Sequence, residues 1–186
     1  MKSLKQFLSC LNGSSSVEDV QSAFAEIAEI LLYKSQIKTC LGNYRIIEIE
    51  FYFNSQKHKD TKTILRNEEP GMWWLHEWGV DISFNSNNDF YGGIIIRSII
   101  DEDEDRYICG PQKCCQELFY SSALDECISP QIVGGMEYQG IPKHTGRQVK
   151  GTDKWEKDGY RYFVSEIKMD KVKNYKDSPW KKLYDQ

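Results

Sequence analysis

The chain has 186 residues, is 40% apolar and 28% charged, and carries a net charge of −4. That length supports one domain with a sizeable core, and the composition is that of an ordinary globular protein. No apolar run approaches the roughly 20 residues that span a bilayer, and the opening "MKSLKQFLSCLNGSSS" is too polar for a signal-peptide core, so a cytoplasmic protein with no membrane role is expected.

Leu4, Phe7, Leu8 and Leu11 recur at helical spacing in that first stretch. "SSSVEDVQSAFAEIAEILLY" predicts a longer helix. Ser16 can cap it, Glu18 and Asp19 suit the dipole of its first turn, and Val17, Val20, Phe24, Ile27 and Leu31 form one apolar face. Gly42-Asn43 breaks the pattern. "YRIIEIEFYF" then predicts a strand with Ile47, Ile49, Phe51 and Phe53 on one side and Ile46, Glu48, Glu50 and Tyr52 on the other. Two carboxylates beside a tyrosine, backed by four apolar residues, suit the lining of a cleft as well as a solvated face.

"KHKDTKTILRNEEPG" reads as a polar loop ending in a Pro-Gly turn. "MWWLHEWGVDISFN" reads as a hairpin with its tight passage at Trp78-Gly79, and alternation puts at least one of Trp73 and Trp74 in the core. "FYGGIIIRSII" is nearly all apolar, which predicts a central strand covered on both faces. "GPQKCCQELFY" predicts a helix with proline at its first position and Cys115, Leu118 and Phe119 toward the core. "GYRYFVSEIKM" is a last strand before a basic, aromatic tail. The elements describe a single α+β domain with a largely antiparallel, curved sheet and flanking helices. Residues 1–40 are expected as a helical segment packed on the domain formed by 41–186.

The six cysteines, Cys10, Cys40, Cys109, Cys114, Cys115 and Cys127, are expected as free thiols. Cys109 and Cys114 have no matching second pair, so the spacing does not make a zinc site. The charge is uneven. Residues 1–142 hold 12 Lys+Arg against 21 Asp+Glu (−9), including "DEDED" at 101–105, and residues 143–186 hold 12 against 7 (+5). The tail could meet phosphates, whereas an acidic run would repel them; each is also consistent with plain solvated surface.

Five segments, in this order, resemble the alkyladenine (3-methyladenine, or methylpurine) DNA glycosylase family. "RIIEIEFY" is similar to its catalytic strand, and "GMWWLHEWGVDISFN" to its hairpin with a pocket aromatic and a wedge before a glycine. "GGIIIRSI" resembles its strand ending in arginine, "CGPQKCCQEL" its Gly-Pro-x-Lys helix start, and "KDGYRYFV" its closing strand. The resemblance spans about 45–167. It implies a methylpurine-DNA-glycosylase-like fold and a monofunctional enzyme that flips a damaged purine out of double-stranded DNA and hydrolyses its glycosidic bond during base-excision repair. A monomer with no metal or other cofactor is implied.

Carried over by the resemblance, Glu50 is the general base, and Arg97 helps hold the catalytic water. Arg97 ends an apolar strand and needs a partner, for which Glu50 is the candidate; emergence into solvent is the alternative. Tyr52 and His76 would stack on the base, with His76 standing where the family places an aromatic, usually tyrosine. His58 would contact the base, although a lone loop histidine is more often surface. Asn85 would screen out the guanine 2-amino group. Trp78 would be the wedge or else a core tryptophan. Lys113 would contact phosphate at a helix start, joined by Arg161 and the tail lysines. Glu48 is read as bridging a surface lysine. No lysine stands out as a Schiff-base nucleophile, so strand cleavage is not expected. The alternatives are a binding protein that keeps the fold and pocket but not the reaction, recognising a nucleobase, nucleotide or protein, and an enzyme that hydrolyses free nucleosides.

Overall fold

Two long strands pair at the centre of the fold, β2 (Asn43–Asn54) and β5 (Tyr91–Asp101), and isoleucines fill many of their buried positions. Branched side chains suit a pleated surface covered on both sides. The structure is a computed structural model that describes residues 4–119, 129–148, 156–167, 169–172, 174–176 and 178–180; Cys127 and positions 181–186 of the basic tail lie outside these.

Around this pair the chain builds one sheet from β1 (Ser35–Lys38), β3 (Trp73–His76), β4 (Gly79–Ser83), β6 (Arg106–Cys109), β7 (Gln131–Gly134), β8 (Lys143–Thr145) and β9 (Arg161–Phe163). The order is β3-β4-β5-β2-β1-β7, with β6 on β5, β8 on β9 and β9 on β2. All of these pairs are antiparallel. The result is an α+β fold. Among the described residues no helix is long and apolar enough to cross a membrane.

Two helices cover one face. α1 (Leu4–Leu8) precedes α2 (Val17–Tyr33), which begins with a capping box: Ser16 Oγ accepts the Asp19 N–H and the Asp19 carboxylate accepts the Ser16 N–H. Phe24 of α2 stacks on Phe51 at 4.2 Å, so the Ile49, Phe51 and Phe53 side of β2 faces this helix. Val17, expected on the apolar face, is exposed at the first turn. Trp73, Ile82, Ile94 and Phe51 form one cross-strand row on the same side. There α3 (Pro111–Phe119) brings Phe119 edge-on to Trp73. Its buried residues are Cys114 and Leu118, whereas Cys115 and Phe119 are only half-buried, because Gly110 N–H is tied to Arg97 O at 2.7 Å and sets the helix's rotation.

Two expectations change. Residues 35–38 are not part of a helical segment: they form β1, inserted between β2 and β7. Cys40 is disulfide-bonded rather than a free thiol. The run at 101–105 is surface charge, as expected, exposed at 102–105, and it forms the tight β5–β6 connection. Asp101 and Glu104 hold Arg106, Glu102 accepts from Gln36 and Tyr138, Asp103 accepts the Asn43 N–H, and Asp105 pairs with Lys171.

The β2–β5 contact leaves no room for a side chain at Gly92. A Cβ there would collide with the Tyr52 carbonyl oxygen and lie 2.9 Å from the Phe53 Cα. Gly92→Ala is expected to lower the urea midpoint, by about 3 kcal/mol of stability. Gly13→Ala, whose Cβ would make an ordinary contact with Phe90, should stay within about 0.5 kcal/mol of the parent.

Candidate active site

The β2–β5 register breaks where the charges sit. Ile46 pairs with Ile99, Glu48 with Ser98 and Ile49 with Ile96, which leaves Ile47 and Arg97 without opposite numbers in this ladder. Their carbonyls serve other neighbours: Val164 N–H bonds Ile47 O at 3.0 Å and Gly110 N–H bonds Arg97 O. Irregularities of this kind bend a strand and re-aim its side chains. Here the result gathers Glu48, Glu50 and Arg97 of the central strands with Arg161 of β9.

Glu50 Oε2 accepts from Arg97 Nη1 at 3.1 Å and from the Tyr52 hydroxyl at 2.9 Å. Its Oε1 lies 3.6 Å from Arg161 Nε and accepts no hydrogen bond among the described residues. Glu48 Oε1 pairs with Arg161 through Nη2 and through Nε (2.6 Å), with Arg97 Nε at 3.4 Å, while Oε2 accepts from Ser98 Oγ. Two buried carboxylates thus share the buried Arg161 and the partly exposed Arg97, which offsets the cost of taking the carboxylates out of water. Burial alone would raise the Glu50 pKa; Arg97, then Arg161, and the Tyr52 bond overcome that and hold it below the usual carboxylate range. Glu50 is therefore ionised at neutral pH. Burial and the Glu50 charge push the Tyr52 phenol well above its ordinary value, so it remains a donor.

Glu48 has arginine partners inside the fold, not a surface lysine, because β9 delivers Arg161 directly beside it. Arg161 is fully buried and so is not a surface contact for phosphate. Tyr52 lies under a further guanidinium. Arg147 stands 4.5 Å over its ring and is held by Asp60 (2.8 and 3.1 Å) and Glu156.

Alternation across the sheet puts Trp74, Asp81, Ile95 and Glu50 in one row on this face, with His76 two residues beyond Trp74. Asp81 and Glu50 are two strands apart, about 10 Å. His76 Nε2 donates to Asp81 Oδ1 at 3.0 Å, and its Nδ1 accepts the Trp78 N–H at 3.3 Å, which assigns the tautomer. Both ring nitrogens are committed, so the imidazole offers its ring face, beside Trp74 at 4.8 Å. Arg66 pairs with Asp81 at 2.7 Å and lies 3.8 Å over Trp74. Gly93 leaves space for that guanidinium. The sequence offered no signal for Arg66, Asp81 or Arg147, since the Arg66–Asp81 and Arg147–Asp60 pairs are each closed by a loop residue distant in sequence.

Trp78 sits at the hairpin tip with 45% of its surface exposed. Gly79, at φ 149, packs on Pro111, and Gln112 Nε2 donates to Glu77 O at 2.9 Å. The tip is thereby braced on the start of α3, where Lys113 is exposed. Asn85 is half-buried beyond the end of β4 and bonds Leu8 O through its backbone; among the described residues no side-chain contact joins it to Glu50 or His76. His58 is not brought to this site. It is buried on the α2 side, with Nδ1 on Phe53 O and Nε2 on the Tyr160 hydroxyl, both at 2.8 Å, and Phe24 nearby. Among the described residues no group of three His, Cys, Asp or Glu is gathered as metal ligands would be.

Arginines hold both Glu50 and Asp60 below the ordinary carboxylate range. The stability they add is present above the unfolded-state values of about 4 and is lost as pH falls through the lower folded values. Urea midpoints should therefore drop below about pH 4, and less steeply in Asp60→Asn. Glu48→Gln strands part of Arg161 and should cost about 3–5 kcal/mol by the same measurement. No family model matches the chain, and no curated protein matches it.

Proposed function

We propose that the protein is a monofunctional purine DNA glycosylase that hydrolyses the bond between a damaged base and its deoxyribose. The observation that carries this reading is Glu50: a buried, ionised carboxylate with one oxygen held by Arg97 and Tyr52 and the other accepting no hydrogen bond among the described residues. A water at Oε1 would lose a proton to Glu50 as its oxygen bonds C1′ of the sugar. The bond from C1′ to the base nitrogen breaks, the base leaves with the electron pair and takes up a proton, and the carboxylate stabilises the oxocarbenium character between. Arg97 keeps Glu50 charged and aimed.

The rest of the face suits an extruded base. Trp74 and His76 lie ring against ring on the same side of the sheet, with Arg66 over Trp74, and in this reading the flipped base would stack against this cluster. In this reading Trp78, exposed at a braced tip, would fill the gap left in the duplex, and the exposed Lys113 of α3 would meet a phosphate. In this reading no lysine forms a Schiff base, so the products are a free base and an intact abasic strand, and no metal or cofactor takes part.

A second reading, a binding protein of the same fold, is favoured by one observation. Glu48, Glu50, Arg97 and Arg161 neutralise each other inside the fold, so the cluster offers a phosphate no surplus positive charge.

Release of free base, followed by mass spectrometry on duplexes carrying alkylated, deaminated or etheno-purines, separates the two. The wild type should release base from at least one duplex, and Glu50→Gln should lower the rate by roughly 10²–10⁴. Trp78→Ala should weaken duplex binding by about 1–3 kcal/mol. Wild-type binding should fall steeply with salt, as counterion release requires. Salt-independent binding of a nucleobase or nucleotide with no release would establish the second reading instead, and free nucleosides serve as the control for hydrolysis without DNA.

A further inference from the structure

The residues after β9 contribute to the site. Tyr175 places its hydroxyl oxygen 3.1 Å from Arg97 Nη2, 3.3 Å from Arg97 Nε and 3.3 Å from Arg161 Nη2. We propose that Tyr175 is a positioning residue, which ties the two arginines together and holds Arg97 on Glu50.

A loose tail could not do this, but the strap is anchored on both sides of Tyr175. Before it, Val172 of α4 (Met169–Val172) is buried and Lys171 pairs with Asp105 at 2.8 Å. After it, Ser178 and Trp180 are buried; Trp180 Nε1 donates to Val164 O and its ring meets Phe163 edge-on. Turn bonds from Tyr175 N–H to Val172 O and from Ser178 N–H to Tyr175 O tie Tyr175 to both anchors. Tyr175 also lines a cleft of about 860 Å³ with Cys109, Lys113 and Lys176.

A guanidinium is a rigid, planar fork, so fixing one edge fixes the direction of the other. Arg97 gives its Nε and Nη2 edge to Tyr175 and its Nη1 to Glu50. Without the phenol oxygen, Glu48 Oε1, 3.4 Å from Nε, is an acceptor already beside the first edge among the described residues. Rotation toward it draws Nη1 away from Glu50. Burial, followed by the Glu48 charge, pushes the Tyr175 pKa well above its ordinary value, so the phenol stays neutral and accepts from both cations.

This inference rests on the reading of Glu50 and Arg97 as a hydrolytic pair, and the test has an arm that does not. Tyr175→Phe keeps the ring and removes only the oxygen. In that variant, hydrogen exchange at the Arg97 Nε–H, followed by nuclear magnetic resonance, should quicken. Single-turnover base release should slow by roughly 10- to 100-fold, with duplex affinity unchanged. Unchanged Nε–H exchange in the variant overturns the proposal, as does wild-type release. If the parent protein releases no base, the glycosylase reading falls and the exchange measurement alone decides the role of Tyr175. Should the variant not fold, the wild type decides: a nuclear Overhauser contact between Arg97 Nε–H and the Tyr175 ring is expected, and its absence overturns the proposal.

Discussion

The ion pair between Glu48 and Arg161 is the contact on which the rest of the site depends. Neither side chain is exposed, and a charge sealed away from water persists only beside its counter-charge. The pair docks the short strand β9 against β2, which positions the chain leading into the strap. It also puts a second guanidinium near Glu50, so that Arg97 is not the only cation tuning that carboxylate. Glu48, which a sequence reading leaves as a surface group, is thus the partner that makes the Glu50 arrangement affordable inside a core.

The same principle explains where the negative charge of residues 1–142 goes. Part of it is internal: Asp60 holds Arg147, Asp81 holds Arg66 and His76, and Glu48 and Glu50 hold Arg97 and Arg161, whereas the 101–105 turn, buried only at Asp101, holds Arg106 and Lys171 at the surface. The turn begins opposite Tyr44, six residues along β2 from Glu50, or roughly 20 Å. The acidic balance therefore says little about the field at Glu50, which is set by paired groups within a few ångströms. It equally shows that several basic residues that look available to phosphate are spent on the fold.

The hairpin half of the face is organised by Asp81. By accepting from His76 and pairing with Arg66 it fixes both the imidazole tautomer and the guanidinium that covers Trp74. Two acid–base constellations thus share one sheet surface about 10 Å apart, with Ile95 between them. One is arranged for charge and the other for flat ring contact. That division arises because alternation sends Trp74, Asp81 and Glu50 to the same side of the sheet.

Period-two alternation and helical spacing made the local structure legible in the sequence. The capped helix at Val17–Tyr33, the hairpin at Trp78-Gly79, the central apolar strand and the shared face of Glu50 and Tyr52 all follow from the order of side chains along short segments. So did Glu50 as a partner for Arg97, since a cation at the end of an apolar strand needs an anion nearby. Only the tertiary structure decided which side chain meets which across long separations. His58, 102 residues from Tyr160, became a core histidine rather than a wall of the site. Arg161 became a buried counter-ion, and Tyr175, 78 residues from Arg97, reached into the cluster. No local pattern records these contacts, because the desolvated charges and hydrogen-bonding groups that impose them come together only when the sheet has closed.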